Sequence, residues 1–293
     1  GAFFVEMQLP DGASLNRTRE LSQQVEGIIQ ALPGIGAVQT VTGFSMLNGL
    51  AQANSAFFIV TLKSFEERTA PEAKVDALIA AVARGTAAVP ALVVPFNLPP
   101  IIGLGTGGGF QYQLQNLEGR PVTEMAAAMR GLVIAANQDP MLNRVYSTFS
   151  ATAPSVFLEL DRDRAQVLGV AVSDVFAALQ SAMGGSYVND FNLFGRGWKV
   201  SLQAEAGDRA SVEDIFRVHV RNRQGDMIPI RALADIRVEF GPQSIVRYNN
   251  VRSLTVNGEP AAGRSSGEAL AAMEGLSSTT LPQGYSYEWT GTA

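Results

Sequence analysis

The chain has 293 residues, of which 46% are hydrophobic and 17% are charged, and it contains no cysteine. A formal net charge of −5 at pH 7 argues against a surface that binds nucleic acid or anionic membranes. The lack of cysteine excludes disulfides, a thiolate nucleophile and cysteine-ligated metals. No uninterrupted apolar run reaches the roughly 18 residues of a membrane span, so we expect this chain to be soluble. It opens at Gly1 without an initiator methionine or a basic leader, so we expect it to be part of a longer protein.

The first hundred residues predict two strand–helix–strand units in tandem, because period-two apolar stretches alternate with apolar residues at helical spacing. A capping box, Thr69 with Glu72 three residues on, is predicted to start the second helix. The predicted strands are 3–9, 37–42, 56–62 and 91–96, and the predicted helix faces lie within 21–32 and 75–82. Such a tandem predicts a ferredoxin-like βαββαβ sandwich, with two helices on one face of a four-stranded sheet.

A stretch rich in proline and glycine, residues 95–109, separates two halves of similar pattern. Its prolines remove hydrogen-bond donors and its glycines loosen the chain, so it is predicted to be a flexible connector. The sequence GLGTGG at 103–108 matches the GxGxxG fingerprint of dinucleotide sites. Because that fingerprint requires a strand before it and a helix after it, we predict no nucleotide site there.

The second half repeats the pattern but is interrupted. Its predicted strands are 110–117, 142–149, 245–256 and 285–289, with helix faces within 122–133 and 270–276. Ser265 and Glu268 form a second capping box. The predicted fold is therefore α+β, with two ferredoxin-like βαββαβ sandwiches, the second split by an inserted smaller α+β subdomain. The predicted domains are 1–103, then 104–153 together with 243–293, and the insertion 154–242.

Residues that carry catalysis or bind metals form no recognisable constellation. His219 is the only histidine, which excludes triads and multi-histidine metal sites, and it is predicted to face solvent on a strand. Asp161 and Asp163 lie two apart at a predicted helix start, where carboxylates suit capping. Gly169 is predicted to end that helix and Ser173 to cap the next. We expect no enzyme, no cofactor and no metal site.

The segment 43–54 carries several large apolar residues between glycines and polar residues. These residues are Phe44, Met46, Leu47 and Leu50. One interpretation is a mobile loop that binds apolar ligands, because methionine and phenylalanine adapt to varied partners. The other is that these side chains fold back over the local core. Composition does not separate the two interpretations.

Four motifs in order, FNLP at 96–99, GGSYVNDF at 184–191, RYN at 247–249 and WTG at 289–291, carry a family resemblance. They resemble the second large periplasmic loop of resistance-nodulation-division multidrug exporters of the hydrophobe/amphiphile branch, over essentially the whole chain. The resemblance implies the periplasmic portion of a proton-driven, homotrimeric bacterial inner-membrane pump, which works with a periplasmic adaptor protein and an outer-membrane channel. It makes the two sandwiches porter subdomains and the insertion a docking subdomain.

The resemblance also implies where hydrophobic and amphiphilic substrates bind, in a cleft between the two sandwiches. The implied substrate-binding residues are Phe4, Gln39, Val41, Phe44, Met46, Phe57, Val94, Phe96, Leu98 and Tyr146. Gln39 and Met46 stand where family members commonly carry aromatic residues, and Tyr146 stands where they often carry arginine. Gly103 replaces a frequent acidic residue. These departures imply a different substrate spectrum.

Three alternatives remain, of which a hydrolase that uses carboxylates alone has the least support in the sequence. Paired ferredoxin-like units also build soluble sensors of small ligands, so a regulatory module is the first. The second is the porter region of an exporter of another substrate class, metal or lipid. Met7 and Met46 are the only methionines expected near the cleft, which argues against metal export.

Overall fold

The computed structural model describes residues 1–98 and 109–291. Most of the predicted connector, residues 99–108 with the GxGxxG match, lies outside the described residues. The chain forms two compact units: unit 1 comprises Gly1–Ala153 and Phe240–Ala293, and unit 2 comprises Pro154–Glu239.

The first part of unit 1 is a four-stranded antiparallel sheet with two helices. Its elements are β1 (Ala2–Gln8), α1 (Leu15–Gln30), β2 (Ile35–Ser45), β3 (Leu50–Leu62), α2 (Val75–Gly85) and β4 (Leu92–Asn97). The strand order is β2-β3-β1-β4, so β1 is paired along both of its edges. Ser14 accepts a hydrogen bond from the N–H of Arg17 and thereby caps α1.

Alternate residues of β1 reach opposite faces of this sheet. Phe3, Val5 and Met7 are fully buried in a core that the two helices complete with Val25, Ile29, Leu78 and Val82. The intervening residues Phe4 and Glu6 therefore lie on the face that α1 and α2 do not cover.

The remaining elements follow in chain order. They are β5 (Phe110–Asn116), α3 (Val122–Gln138), β6 (Leu142–Tyr146), β7 (Ala153–Leu160), α4 (Arg162–Val167), α5 (Val172–Leu179), β8 (Ser186–Leu193), β9 (Arg196–Leu202), β10 (His219–Arg221), β11 (Met227–Pro229), β12 (Ala234–Gly241), β13 (Arg247–Tyr248), β14 (Val251–Pro260), α6 (Ser266–Thr280) and β15 (Tyr285–Thr290).

The second part of unit 1 has a sheet of order β13-β14-β5-β15, in which β6 also pairs with β14. Helices α3 and α6 complete a core centred on Tyr112, whose ring is fully buried. The Tyr112 hydroxyl lies 2.7 Å from the hydroxyl of Ser277 on α6, which satisfies both buried groups. Burial raises the pKa of Tyr112 well above its usual range.

Unit 2 has a small core of its own. Fully buried Val175, Ile230 and Leu233 form its centre, together with Ala165. The hairpin of β8 and β9 is exposed along almost its whole length, and Phe194 at its turn is 88% exposed. Large apolar side chains along this hairpin are Tyr187, Val188, Phe191, Leu193, Trp198, Val200 and Leu202.

The α+β class is confirmed, and so are several helix boundaries. Ser265 and Glu268 form the predicted capping box of α6. Asp161 caps α4 by accepting from the N–H of Arg164. Gly169, at φ +72°, follows the end of α4 with paired hydrogen bonds from residues 169 and 170 to residues 166 and 165, a Schellman motif. His219 is exposed on β10, as predicted.

The predicted loop 43–54 is wrong, because these residues continue β2 and β3 as a hairpin. Phe44 pairs with Ala51 and Ser45 with Leu50, which leaves a turn at 46–49. Two polar residues of this segment, which suggested a loop, are instead buried and hydrogen-bonded. Asn54 Nδ2 donates to the Leu9 carbonyl at 3.0 Å, and Gln52 Nε2 donates to Gln243 Oε1 at 2.8 Å.

Three further local predictions are wrong. Thr69 caps no helix: Pro71–Ala73 forms a 3-10 turn, the Arg68 guanidinium donates to the Ala73 carbonyl, and α2 begins at Val75 after an extended residue. Helix α5 begins one residue before Ser173, so that serine is no N-cap. The predicted strand 245–256 is a hairpin, because Asn249 and Asn250 both adopt positive φ and turn β13 into β14.

Candidate functional site

Three phenylalanines meet on the sheet face that α1 and α2 leave uncovered. Phe4 of β1 lies between Phe57 of β3 and Phe96 of β4, with ring centroids 4.9 Å and 6.0 Å away in edge-to-face geometry. The register explains this arrangement, because Phe4 pairs directly with Phe96, and Glu6 pairs with Phe57 and Val94. We call Phe4, Phe57, Val94 and Phe96 the aromatic patch.

The turn between β2 and β3 folds over the aromatic patch. Met46 and Leu47 are partly buried against it, and we call Ser45, Met46 and Leu47 the hairpin tip. Met46 and Leu47 agree with the interpretation in which the large apolar side chains of segment 43–54 cover a local core, whereas Leu50 is 40% exposed. Phe44 is half-buried but does not belong to this cluster.

Tyr146, which belongs to the second sheet of unit 1, packs in the same cluster. It ends β6, is partly buried and packs against the aromatic patch. Burial raises the pKa of Tyr146 well above its usual range, and the carboxylates of Glu259 and Glu6 raise it further. Arg144, two residues before it, pairs with Glu259 and donates to the Pro95 carbonyl at 3.1 Å.

A carboxyl group lies buried within this apolar cluster. Glu6 is 1% exposed, and its Oε2 accepts a hydrogen bond from the N–H of Met46 at 3.1 Å. Its other oxygen, Oε1, is buried without a hydrogen-bond partner. Burial raises the pKa of the Glu6 carboxyl to about 7, against the opposing effects of Ser45 and of the amides at 46 and 47. Near neutral pH this group therefore exchanges between its neutral and ionised forms.

The ten sequence-predicted residues divide into three groups. Six of them meet in one cluster, and these are Phe4, Met46, Phe57, Val94, Phe96 and Tyr146. Gln39 and Val41 are exposed on β2, but pair with Ile59 and Phe57 and so share the patch face. Phe44 and Leu98 are half-buried outside the cluster. For all ten residues, a role in binding substrate stays a prediction.

The ten implied binding residues leave out three residues at this cluster, Glu6, Leu47 and Ile59. A signal for Glu6 exists, since Phe3, Phe4, Val5 and Met7 around it are all apolar. A strand that is apolar on both faces is buried on both faces, so a charged residue within it must be buried as well.

The cleft beside the aromatic patch is nearly closed. A cavity of about 20 Å³, lined by Leu47, Phe96, Phe110 and Tyr146 among others, has room for about one water molecule. A shallow groove of about 360 Å³ lies elsewhere in unit 1, between residues 8–11, 90–92 and 147–150. The space beside the patch is therefore too small for a drug-sized compound in this conformation.

A second set of contacts, which we call the polar seam, joins Gln8, Asp11 and Asn48 to Thr148 and Ser150. Thr148 Oγ1 donates to Asn48 Oδ1 at 2.7 Å, and Gln8 Nε2 donates to the Thr148 carbonyl at 3.0 Å. Ser150 donates to the Asp11 carboxylate. These bonds join the first sheet of unit 1 to the segment that follows β6.

Comparison with known proteins identifies the family to which this chain belongs. The model of the AcrB/AcrD/AcrF family matches residues 1–293. The chain belongs to this family. The resemblance to resistance-nodulation-division multidrug efflux transporters is thereby confirmed, and membership of a transporter family favours an exporter over a sensor module.

Individual AcrB/AcrD/AcrF relatives match almost the whole chain. It is 37% identical over 295 residues to the multidrug export protein AcrF of Escherichia coli. It is 34% identical to the multidrug resistance protein MdtF of the same species, and 33% identical to the toluene efflux pump membrane transporter TtgB of Pseudomonas putida. Each match covers 99% of this chain but 28% of the relative, so the chain spans just over a quarter of their length.

None of the helices in the described part of the chain is long and apolar enough to cross a membrane. Within residues 1–98 and 109–291, no group of three or more acidic or histidine side chains is arranged to hold a metal ion.

Proposed function

We propose that this chain is the periplasmic substrate-binding and docking portion of a proton-driven multidrug efflux pump of the bacterial inner membrane. In this proposal 1–103 is one porter subdomain, 104–153 with 243–293 is the second, and 154–242 docks to partner proteins. Hydrophobic and amphiphilic compounds bind in the cleft between the two porter subdomains. The named relatives, which include a multidrug export protein and a toluene efflux pump, support this proposal.

The observation that carries the proposal is the aromatic patch. Phe4, Phe57 and Phe96 turn their rings toward one another on a sheet face that no helix of its own sandwich covers. The hairpin tip and Tyr146 pack against it, so a separation of the two sheets would expose an apolar surface. Aromatic rings in such a surface bind varied apolar compounds with little loss of conformational entropy.

Replacement of the partly buried ring tests this proposal. Phe4→Ala should weaken binding of a neutral hydrophobic fluorescent dye to the purified chain by about tenfold, and lower efflux by a transporter that carries the chain. Phe65→Ala is the matched control, because the Phe65 ring is 76% exposed and lies outside the patch. Equal dye affinity and equal efflux in the two variants would argue against the cleft as the binding site.

The exposed β8–β9 hairpin supports the docking part of the proposal. It presents eight large apolar side chains, Phe194 at its turn among them, on a two-stranded ribbon. Exposed apolar patches of this kind mark protein contacts, here with the adaptor protein, the outer-membrane channel or other copies of the chain. Phe194→Ser should reduce cross-linking between the pump and these partners, and unchanged cross-linking would contradict docking through this hairpin.

A further inference from the structure

The placement of Glu6 inside the aromatic patch carries an inference about which compounds this cleft prefers. Directly opposite Glu6 on the two neighbouring strands are Phe57 and Val94. The carboxyl is 1% exposed and has one oxygen, Oε1, without a hydrogen-bond partner. A carboxylate in such a place lacks the counter-charge that normally makes burial tolerable.

No cation in the surrounding elements supplies that counter-charge, as far as the structure describes them. The groups nearest to Glu6 are Phe57 of β3, Val94 of β4, the Ser45 hydroxyl and the amides of 46 and 47 in the hairpin tip, and Tyr146 of β6. Tyr146 is the titratable group among them, and it stays neutral because burial raises its pKa. Arg144 acts on Tyr146 but pairs with Glu259.

We propose that Glu6 is a specificity-determining residue, which makes the aromatic patch select cationic amphiphiles over anionic ones of the same size. This inference rests on the proposed function and adds the sign of the substrate charge to it. A bound cation supplies the counter-charge that Glu6 lacks, while the faces of neighbouring rings attract it further. An anion in the same place meets a carboxylate that it repels.

The charge state of Glu6 makes this preference depend on pH. In the closed site the pKa of the buried Glu6 carboxyl lies at about 7, so the carboxyl is mostly protonated below this pH and mostly ionised above it. A cation binds best to the ionised form, so below pH 7 its binding must displace the carboxyl proton. Between pH 8 and pH 6 the ionised fraction falls about tenfold, and the affinity for the cation should fall by about the same factor.

Two hydrophobic ions of nearly equal size and opposite charge provide the test. Tetraphenylphosphonium and tetraphenylborate are titrated separately against the purified 293-residue chain at pH 8 and at pH 6. The chain should bind the phosphonium more tightly than the borate at pH 8. Glu6→Gln should weaken phosphonium binding at least about tenfold at pH 8 and abolish its pH dependence.

Glu6→Gln suits this test because the amide oxygen can still accept from the N–H of Met46. The control is Glu72→Gln, which removes the same charge from an exposed residue in the turn before α2 and should leave both affinities unchanged. If both ions bind the wild-type chain equally well, or if Glu6→Gln keeps the preference, the inference is wrong while the proposed function stands. If neither ion binds, the proposed function fails and the inference fails with it.

Discussion

The Glu6 carboxylate and the main-chain N–H of Met46 are joined by a hydrogen bond of 3.1 Å. This bond joins the hairpin tip to β1, one of the two central strands of the first sheet, on the face that carries the aromatic patch. The atom that holds the tip therefore belongs to a group that titrates near neutral pH. The folding stability of the chain and the closure of the cleft should therefore both depend on the protonation of the Glu6 carboxyl.

The first prediction concerns stability against pH. The pKa of Glu6 is raised from 4.5 to about 7, so folding favours the protonated carboxyl. The stability gained from this preference is complete below pH 4.5 and is lost as pH rises through 7. Relative to Glu6→Gln, the wild-type chain should lose about 3 kcal/mol of unfolding free energy between pH 4.5 and pH 8.

Urea unfolding of both proteins at several pH values measures this difference. Glu72→Gln should show the same pH dependence as the wild-type chain, because the Glu72 carboxyl is exposed. A constant difference between wild type and Glu6→Gln from pH 4.5 to pH 8 would contradict the raised pKa.

The second prediction concerns close packing in the second sheet. A Cβ at Gly258 would lie 2.5 Å from Cζ of Phe110 and 3.0 Å from Cγ2 of Val145, which are both buried. Gly258→Ala should therefore destabilise the chain by about 1–3 kcal/mol in chemical denaturation. Gly275→Ala, in the middle of α6 with open space around its Cβ, should be neutral or stabilise by up to about 1 kcal/mol. Equal effects of the two variants would show that Phe110 moves aside at little cost.

The third prediction separates a true helix cap from an apparent one. Ser265 accepts from the N–H of Glu268 at the start of α6, so Ser265→Ala should cost about 1 kcal/mol. Ser173 lies inside α5 and caps nothing, so Ser173→Ala should change stability by less than about 0.5 kcal/mol. Thermal or denaturant unfolding of the two variants decides this, and a larger loss at Ser173 would mean that α5 begins later than described.

The fourth prediction concerns the polar seam. Thr148→Val keeps the shape of the side chain but removes the hydroxyl that donates to Asn48 Oδ1. It should destabilise the chain by about 1 kcal/mol and speed hydrogen exchange at the hairpin tip, because Asn48 directly follows the tip. Thr123→Val, at an exposed position of α3, is the control for the loss of a hydroxyl. Unchanged exchange in Thr148→Val would show that the seam does not hold the tip.

The regular elements of unit 1 could be predicted from the sequence, because their apolar residues follow a single period. The turn at Asn249 and the extension of β3 through Gln52 and Asn54 could not be predicted, since both depend on polar residues whose hydrogen-bond partners are distant in sequence. Thr69 and Glu72 have the spacing of a capping box, but Pro71 and the buried Arg68 guanidinium form a different turn there. The spacing of a capping box in the sequence therefore identifies a helix N-cap only where tertiary contacts do not impose a different turn.

The candidate site was predictable in part for a related reason. The family resemblance indicated Phe4, Phe57, Val94 and Phe96 by position, and the strand register brings them together. Glu6 is not a residue that a ligand-binding pattern would indicate. Glu6 is a candidate binding residue because the hairpin tip and Tyr146 of β6 pack around it, and that packing is visible only in the three-dimensional structure.

The strands through which the chain enters and leaves unit 2 are hydrogen-bonded neighbours. Strand β7 begins at Ala153, strand β12 ends at Gly241, and the two form a sheet of their own. Neighbouring strands lie about 5 Å apart, so a tight turn could join their outer ends. An evolving gene could therefore gain, lose or exchange this whole segment in one step, while the remaining sandwich keeps its connectivity. Such a junction would let unit 2 diversify independently of unit 1.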